Sequence, residues 1–185
     1  QEEDGLNYSR MPIERESPLA VTLVQAIAAN DAMDYAVRKA VELGAAAIAP
    51  VVSERGARFP DGERGDKRRA HWQQIAIAAC EQCGRNRVPL VAVPREFGAW
   101  LGQRDPARRG VMCAPEATQA LPALAHPAHV LDVLVGPEGG FSQREHDRAS
   151  AAGITAVRLG PRILRTETAG AAALSAVNLL WGDFH

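Results

Sequence analysis

The sequence predicts an α/β domain built on a mostly parallel sheet with helices on both faces. Short apolar runs rich in β-branched residues alternate with segments whose apolar residues recur at helical spacing, from residue 19 to residue 180. Such alternation joins parallel strands through crossover helices. The chain has 185 residues, 46% of them hydrophobic and 23% charged, which is enough to enclose one sizeable core.

The predicted elements follow in chain order, and most are bounded by residues that favour helix ends or turns. Asp31 is expected to cap the first helix and Gly44 to end it. Ser142 and Glu145 form a capping box for a later helix that ends at Gly153. Strands are predicted at 19–27, 46–52, 88–93, 110–114, 130–136 and 155–159, and helices at 31–43, about 66–83, 95–102, 142–152 and 166–180.

Composition divides the chain into two parts. Residues 1–17 are polar and show neither strand nor helix periodicity, so we interpret them as a tail or the stump of an upstream domain. Residues 18–185 contain no internal repeat or low-complexity linker and are predicted to form one domain.

Charge and cysteine content exclude several classes of protein. With 21 Lys and Arg against 22 Asp and Glu, the chain is not a polycation, so any contact with nucleic acid must be local. Three cysteines cannot form a disulfide framework, which predicts a reducing cytoplasm. Cys80 and Cys83 fall on an apolar helix face together with Trp72, so we expect core packing and assign no metal. No apolar run approaches the roughly 20 residues that a membrane span needs.

Two loops follow the last two predicted strands, at the sheet edge where ligands bind in parallel α/β folds. The first, GPEGGFS at 136–142, has three glycines that permit close approach of a ligand to the backbone. Glu138 and the absence of a following Lys argue against a phosphate loop, and the chain contains no GxGxxG string. An acidic glycine loop suits a cationic ligand, and the arginines of 159–168 suit an anionic partner. A sulfonium cofactor and RNA would satisfy both.

The strings VGPEGGFS at 135–142 and RLGPRILRTETA at 158–169 resemble the signature of the RsmE family of SPOUT methyltransferases. Further matches in the same order are KAVELG at 39–44, PVVSERG at 50–56, Trp72 and EQCGR at 81–85. The resemblance implies a C-terminal trefoil knot, S-adenosylmethionine as cofactor, and methylation of N3 of a specific uridine near the decoding centre of 16S ribosomal RNA in the small ribosomal subunit. It also implies a homodimer formed through the knot, and an RNA-binding domain of the PUA type upstream.

The same resemblance implies the site residues. Arg165 is the candidate that stabilises charge on the uracil, and Glu138 or Glu167 could accept the N3 proton. Glu138 could instead balance the sulfonium, and Glu167 could be a first-turn carboxylate that interacts with the helix dipole. The implied cofactor-binding residues are Leu134, Gly136, Glu138, Gly139, Gly140, Leu159, Gly160, Ile163, Leu164, Arg165 and Thr168. The implied RNA-binding residues are Ser53, Glu54, Arg55, Arg58, Arg85 and Arg162.

A basic run between residues 55 and 69 carries six Lys and Arg against three acidic residues. Such a run is either a solvated loop or a contact for polyanionic RNA. Two alternatives to the leading function remain open. The domain could be a SPOUT methyltransferase that acts on another RNA, or a knotted module that binds RNA or cofactor without turnover.

Overall fold

A computed structural model of the chain describes residues 13–185. Within them, seven strands form one sheet in the order β3-β2-β1-β6-β5-β7, with β4 also paired to β2, and every pairing is parallel. The strands are β1 (Ala20–Ala26), β2 (Ala47–Val52), β3 (Leu90–Val91), β4 (Arg95–Glu96), β5 (Arg109–Cys113), β6 (Val130–Val135) and β7 (Ile154–Val157). The helices are α1 (Asn30–Glu42), α2 (Gly62–Cys83), α3 (Phe97–Gln103), α4 (Gln143–Ala151) and α5 (Thr166–Trp181).

Strand β1 lies at the centre of the sheet and is buried on both faces, as its unbroken apolar run predicts. Val21 and Leu23 pack into a core formed with α1, α2 and α5. Val24 and Ala26 point to the opposite face, where they pack with residues of α3 and α4. The predicted placement of helices on both faces of the sheet is therefore confirmed.

Several predicted boundaries agree with the structure. Ser142 and Glu145 form the expected capping box at the start of α4. Gly44 follows Leu43, the C-cap residue of α1, and has a φ of 80°, as expected of a glycine that ends a helix. Trp72 and Cys80 are buried in the core, and Cys83 is half-buried against it. Helix α2 begins at Gly62, a few residues earlier than predicted.

Two local predictions are wrong. Ala29 occupies the N-cap position of α1, and Asp31 lies in the first turn without capping it. The single strand predicted at 88–93 is replaced by the short strands β3 and β4, which are separated by residues 92–94, the last of which is Pro94. Proline has no N–H to donate to a neighbouring strand, so the pairing with β2 is interrupted there.

The C-terminal part of the chain returns from the edge of the sheet to its centre. After the edge strand β7, the Arg158 N–H donates to Gln119 O at 2.9 Å, in the long connection between β5 and β6. Helix α5 then packs against α1 and β6, and Asn178 Nδ2 donates to Leu43 O at 2.7 Å. The loop between β7 and α5 is thereby held over the carboxyl ends of the central strands.

The sequence predicts a boundary between an N-terminal tail and the domain at residue 17. Residues 1–12 of this tail lie outside the described residues. Residues that follow are attached to the domain: the Ser17 hydroxyl donates to Asn178 Oδ1 at 3.2 Å, and Glu16 forms an ion pair with Arg85. Within residues 13–185, no helix combines the length and apolar character required to cross a membrane. That part of the chain also contains no cluster of three or more His, Cys, Asp or Glu that could hold a metal ion.

Candidate functional site

A cavity of about 900 Å³ opens at the carboxyl ends of the central strands. Its wall includes Ala29 after β1, Cys113 at the end of β5 and Val135 at the end of β6. The loops 136–141 and 159–167 complete it. Both loops singled out in the sequence therefore meet at one site, and the volume is that of a pocket for a drug-sized ligand.

Glycines determine the shape of the loop 136–142. A Cβ at Gly136 would lie 3.0 Å from Phe141 N and 3.2 Å from the carbonyl carbon of Gly140, so the loop folds back too tightly for a side chain there. Gly140 has a φ of 68°, and its N–H donates to Pro137 O at 2.9 Å in a tight turn. A Cβ at Gly140 would meet no atom within 4 Å, because the residue faces open space in the cavity.

Thr166, the first residue of α5, connects the two loops of the cavity to strand β1 through hydrogen bonds. Its hydroxyl donates to Gly136 O at 2.6 Å and accepts a hydrogen bond from Gln25 Nε2 at 2.9 Å. Gln25 is buried in β1, where an amide costs free energy unless it is hydrogen-bonded. Neither residue of this pair was among the predicted site residues, although a glutamine inside an apolar strand indicates a buried hydrogen bond.

Glu138 takes the place of the N3 side chain of a capping box at the start of α1. Its Oε1 accepts the N–H of Ala29 at 3.0 Å, at the residue where a side chain able to cap the helix is missing. A carboxylate at this position also interacts favourably with the helix dipole. Glu138 also lines the cavity, so the same side chain stabilises the start of α1 and belongs to the candidate site.

The charges of the cavity wall are mixed. Asp31, Glu116, Glu138 and Glu167 supply carboxylates, and the arginines at 55, 162 and 165 supply guanidinium groups. His146 Nε2 lies 3.3 Å from Glu116 Oε1, and its ring packs edge-on against Phe141. Burial raises the pKa of the Cys113 thiol to about 12, so that this group stays protonated at neutral pH. Asp31, Cys113, Glu116 and His146 were not among the predicted site residues.

Most of the predicted cofactor-binding residues line the cavity, and so does the predicted catalytic residue Glu167. Leu134 lies behind the wall, fully buried in the core next to α3 and α4. Gly160 and Thr168 are exposed and outside the lining. The residues that do line it are Gly136, Glu138, Gly139, Gly140, Leu159, Ile163, Leu164 and Arg165.

The predicted RNA-binding residues fall in different environments. Arg55 donates from Nη1 to Gly139 O at 3.3 Å and, like Arg162, lines the cavity. Arg58 is exposed. Glu54 donates its N–H to Glu145 Oε1 at 3.0 Å, and Ser53 is buried beside it. The loop 53–55 is therefore fixed to the glycine loop and to α4.

Arg85 does not fit the RNA-binding role. Its side chain is only 4% exposed, and it is paired with Glu16. Its Nη1 donates to Val41 O at 2.9 Å and to Ala45 O at 3.0 Å. Since these groups use its donors inside the fold, we remove Arg85 from the candidate RNA-binding residues and assign it to the attachment of residues 13–17.

Two arginines of the basic run at 55–69 make contacts within the fold. Arg68 lies over the ring of Trp72 at 5.2 Å, and burial lowers its pKa from the ordinary arginine value. Arg69 Nε donates to Val91 O at 2.9 Å. The remaining exposed cations of the run are Arg55, Arg58, Arg64 and Lys67.

The chain is similar to several known proteins in sequence and in structure. A family model described as an RNA methyltransferase domain matches residues 15–178. The crystal structure of a ribosomal RNA small subunit methyltransferase E from Neisseria gonorrhoeae bound to S-adenosyl methionine is 44% identical with a TM-score of 0.88, covering 92% of this chain and 70% of that one. The protein of the same name from Buchnera aphidicola is 33% identical in an alignment 176 residues long that covers 91% of this chain and 67% of the relative.

A more distant structure confirms the fold class. The SpoU methyltransferase AviRb from Streptomyces viridochromogenes shares the fold at 16% identity, with a TM-score of 0.51 and coverage of 89% of this chain and 60% of that one. With the parallel sheet and its two helical layers, these likenesses confirm the predicted α/β class of SPOUT domains with a C-terminal trefoil knot. Knotted chains are rare among proteins.

Proposed function

The chain belongs to the RNA methyltransferase domain family, in its RsmE branch, and we propose on this premise that it methylates N3 of a specific uridine in 16S ribosomal RNA with S-adenosylmethionine. The observation that supports the proposal is the meeting of the two loops at one cavity, whose lining includes Arg165, three glycines and four carboxylates. We infer the ribosomal substrate from the names of the similar proteins. We infer N3 as the methylated atom from the family resemblance.

The residues of the cavity fit S-adenosylmethionine. Gly140 leaves space where a side chain would project, and the backbone of the loop 136–140 is open to close approach. The carboxylates of Glu138 and Glu167 suit a cofactor that carries a positively charged sulfonium. We propose that the cavity-lining glycines, Leu159, Ile163 and Leu164 hold the cofactor, which when bound supplies an electrophilic methyl group.

The protein's own part in the reaction is alignment and proton transfer. Uracil N3 carries a proton, so methylation requires this proton to leave and the negative charge on O2 and O4 to be stabilised. We assign the stabilising role to Arg165, which lies at the N-terminus of α5 and is exposed to the cavity. Glu138 and Glu167 remain the two candidates to accept the proton, and Glu138 already holds the Ala29 N–H with one oxygen.

Replacing Arg165 with alanine should lower the rate of methyl transfer about 100-fold, the usual cost of losing one donor that stabilises developing charge. Binding of S-adenosylmethionine should change little, since the variant keeps the Arg165 backbone in the loop proposed to hold the cofactor and loses only the guanidinium proposed to act on the uracil. The measurement is transfer of labelled methyl to small ribosomal subunits that lack the modification, with calorimetry for the cofactor. Arg158→Ala is the matched control, because Arg158 is exposed nearby but outside the cavity.

Two outcomes of the same assay would contradict the proposal. Mass spectrometry of the digested RNA, together with a stop of reverse transcription at N3-methyluridine, identifies the modified atom. Methyl groups on another atom or another RNA would favour a SPOUT enzyme of different specificity. Cofactor and RNA binding without any transfer would favour a non-catalytic module.

We propose that the active form is a homodimer located in the cytoplasm, where the ribosomal substrate is found. Apolar side chains are exposed in the loop between β7 and α5 and at the C-terminal end of the chain: Ile163 is 85%, Leu179 69% and Phe184 43% exposed. A second copy covering them would remove apolar area from water. Light scattering should give twice the 19.8 kDa of one chain. The mass of a single chain at micromolar concentration would contradict the dimer.

The exposed cations Arg55, Arg58 and Arg162 are proposed to contact RNA phosphates near the cavity. Arg55 and Arg162 line the cavity itself, so a polyanion bound at its mouth would reach them.

A further inference from the structure

A directed pair of hydrogen bonds joins the buried strand β1 to both loops of the main cavity. The Thr166 hydroxyl lies 2.6 Å from Gly136 O, and the same hydroxyl lies 2.9 Å from the side-chain amide of Gln25. A carbonyl oxygen can only accept, and a hydroxyl has a single hydrogen to donate. The hydroxyl therefore donates to Gly136 and must accept from Gln25, which fixes the orientation of the buried amide.

Thr166 stands between the two residues to which the proposed chemistry is assigned. Arg165 precedes it and Glu167 follows it, and both line the cavity, whereas Thr166 is only 5% exposed. Within the described residues, the segment 159–165 makes no hydrogen bond to another element, apart from the Ala169 N–H to Arg165 O bond that begins α5. The Thr166 hydroxyl is thus the nearest polar attachment of this segment to the rest of the fold.

The glycine loop 136–142, by contrast, has further attachments of its own. Glu138 Oε1 accepts the Ala29 N–H at 3.0 Å, and Arg55 donates to a carbonyl group of the loop at 3.3 Å. Loss of the Thr166 hydroxyl should therefore leave the glycine loop in place and release the loop that leads into α5.

The Gln25 amide carries a free-energy cost. Because its Nε2 faces Thr166, its Oε1 is left buried without a hydrogen-bond partner among the described residues, in a side chain that is 1% exposed. An unpaired buried acceptor is destabilising, whereas a buried polar pair replaced by apolar groups of the same shape can be nearly neutral. Stability alone does not explain a glutamine here, and a role in the site does.

We infer that Gln25 and Thr166 are positioning residues for methyl transfer. They hold Arg165 and Glu167 in line with the glycine loop, and they act on the reaction through those two neighbours. Displacement of a reacting group by about 1 Å can lower a rate about 100-fold, so one hydroxyl at this point has a large effect. The inference rests on the proposed function, which places the uracil beside Arg165.

Thr166→Val tests the inference, because it removes the hydroxyl and keeps the β-branched shape. At saturating S-adenosylmethionine and unmodified small ribosomal subunits, methyl transfer should be about 100-fold slower. The dissociation constant of S-adenosylmethionine, measured by calorimetry, should rise less than about fivefold, because the glycine loop keeps its own attachments. Thr166→Ser keeps the hydroxyl and should retain the rate to within about threefold.

A double variant separates positioning from stability. Gln25→Met combined with Thr166→Val replaces both buried partners with apolar side chains of similar size, and Gly136 O lies at the cavity, where water can reach it. Its midpoint of urea unfolding should stay near that of the unchanged chain, while its rate should be as low as that of Thr166→Val. The matched control is Thr22→Val, the same substitution on β1, which removes a hydroxyl that accepts from Arg108 at the opposite end of the sheet. It should keep the full rate.

An unchanged rate in folded Thr166→Val would overturn the inference, as would an equal loss of rate in Thr166→Ser or in Thr22→Val. Absence of transfer by the unchanged chain would contradict the proposed function instead. Amide hydrogen exchange then decides whether the pair holds the loop. Residues 159–167 should exchange faster in Thr166→Val while residues 136–142 do not, and unchanged exchange at 159–167 would overturn the inference by itself.

Discussion

Replacing Gly140 with tryptophan should abolish binding of S-adenosylmethionine, with affinity at least about 100-fold weaker, while the chain still folds. Gly140 faces the main cavity, and no atom lies within 4 Å of where its Cβ would stand. An indole attached there would occupy the space proposed for the cofactor without colliding with the core. Calorimetric titration of the variant with S-adenosylmethionine measures the effect.

The control must account for backbone strain, because Gly140 has a φ of 68°, where a side chain costs roughly 1–2 kcal/mol. Gly153 provides it. This residue has a φ of 78° and no atom within 4 Å of its virtual Cβ, but it lies between α4 and β7 outside the cavity. Gly153→Trp should bear the same strain and bind the cofactor normally. Normal binding by Gly140→Trp would show that the cofactor is held elsewhere.

The fold was accessible from the sequence because its signals are local. Apolar runs such as that of β1 and the capping box of Ser142 and Glu145 act within a few residues. The positions of the two functional loops followed from the same pattern, because parallel strands end at a common edge. The knot and the cofactor were predicted from the family resemblance of the motif strings. Hydrophobic periodicity does not show whether one part of the chain passes through a loop formed by another.

What the sequence did not predict depends on contacts between distant residues. Glu138 completes the start of α1 in place of a local cap, although the two are more than 100 residues apart. Thr166, Gly136 and Gln25 come from three different elements and meet only in the folded chain. Arg85 resembles a surface cation in sequence, but its burial depends on Glu16 and on the carbonyl groups of Val41 in α1 and Ala45 in the α1–β2 connection. Patterns within a short window cannot reveal such pairings.

A buried charge cluster at the opposite end of the sheet accounts for the largest stability effect that we expect. Asp132 interrupts the apolar run of β6 and is 3% exposed. Its Oδ2 accepts from Arg104 Nε at 2.8 Å, and its Oδ1 accepts from Arg108 Nη2 at 2.7 Å. Arg108 also donates to the Thr22 hydroxyl at 3.1 Å, which connects the cluster to the central strand.

Asp132→Ala should lower the free energy of unfolding by about 3–5 kcal/mol, because it leaves the nearly buried Arg104 guanidinium without its counter-charge. That loss is a large part of the roughly 5–15 kcal/mol that stabilises a typical domain. Urea unfolding followed by circular dichroism measures it. The control Glu63→Ala breaks an ion pair with Lys67 whose side chains are 81% and 75% exposed, and it should change stability by less than about 1 kcal/mol.

Asp132→Ala also separates stability from function. Asp132 lies near the start of β6, whereas the cofactor cavity adjoins the end of that strand at Val135. Below the unfolding transition, the variant should therefore bind S-adenosylmethionine as the unchanged chain does. A loss below about 1 kcal/mol would mean that the two arginines find other acceptors or water. Weakened cofactor binding by a folded variant would mean that the charge cluster and the cavity are coupled through β6.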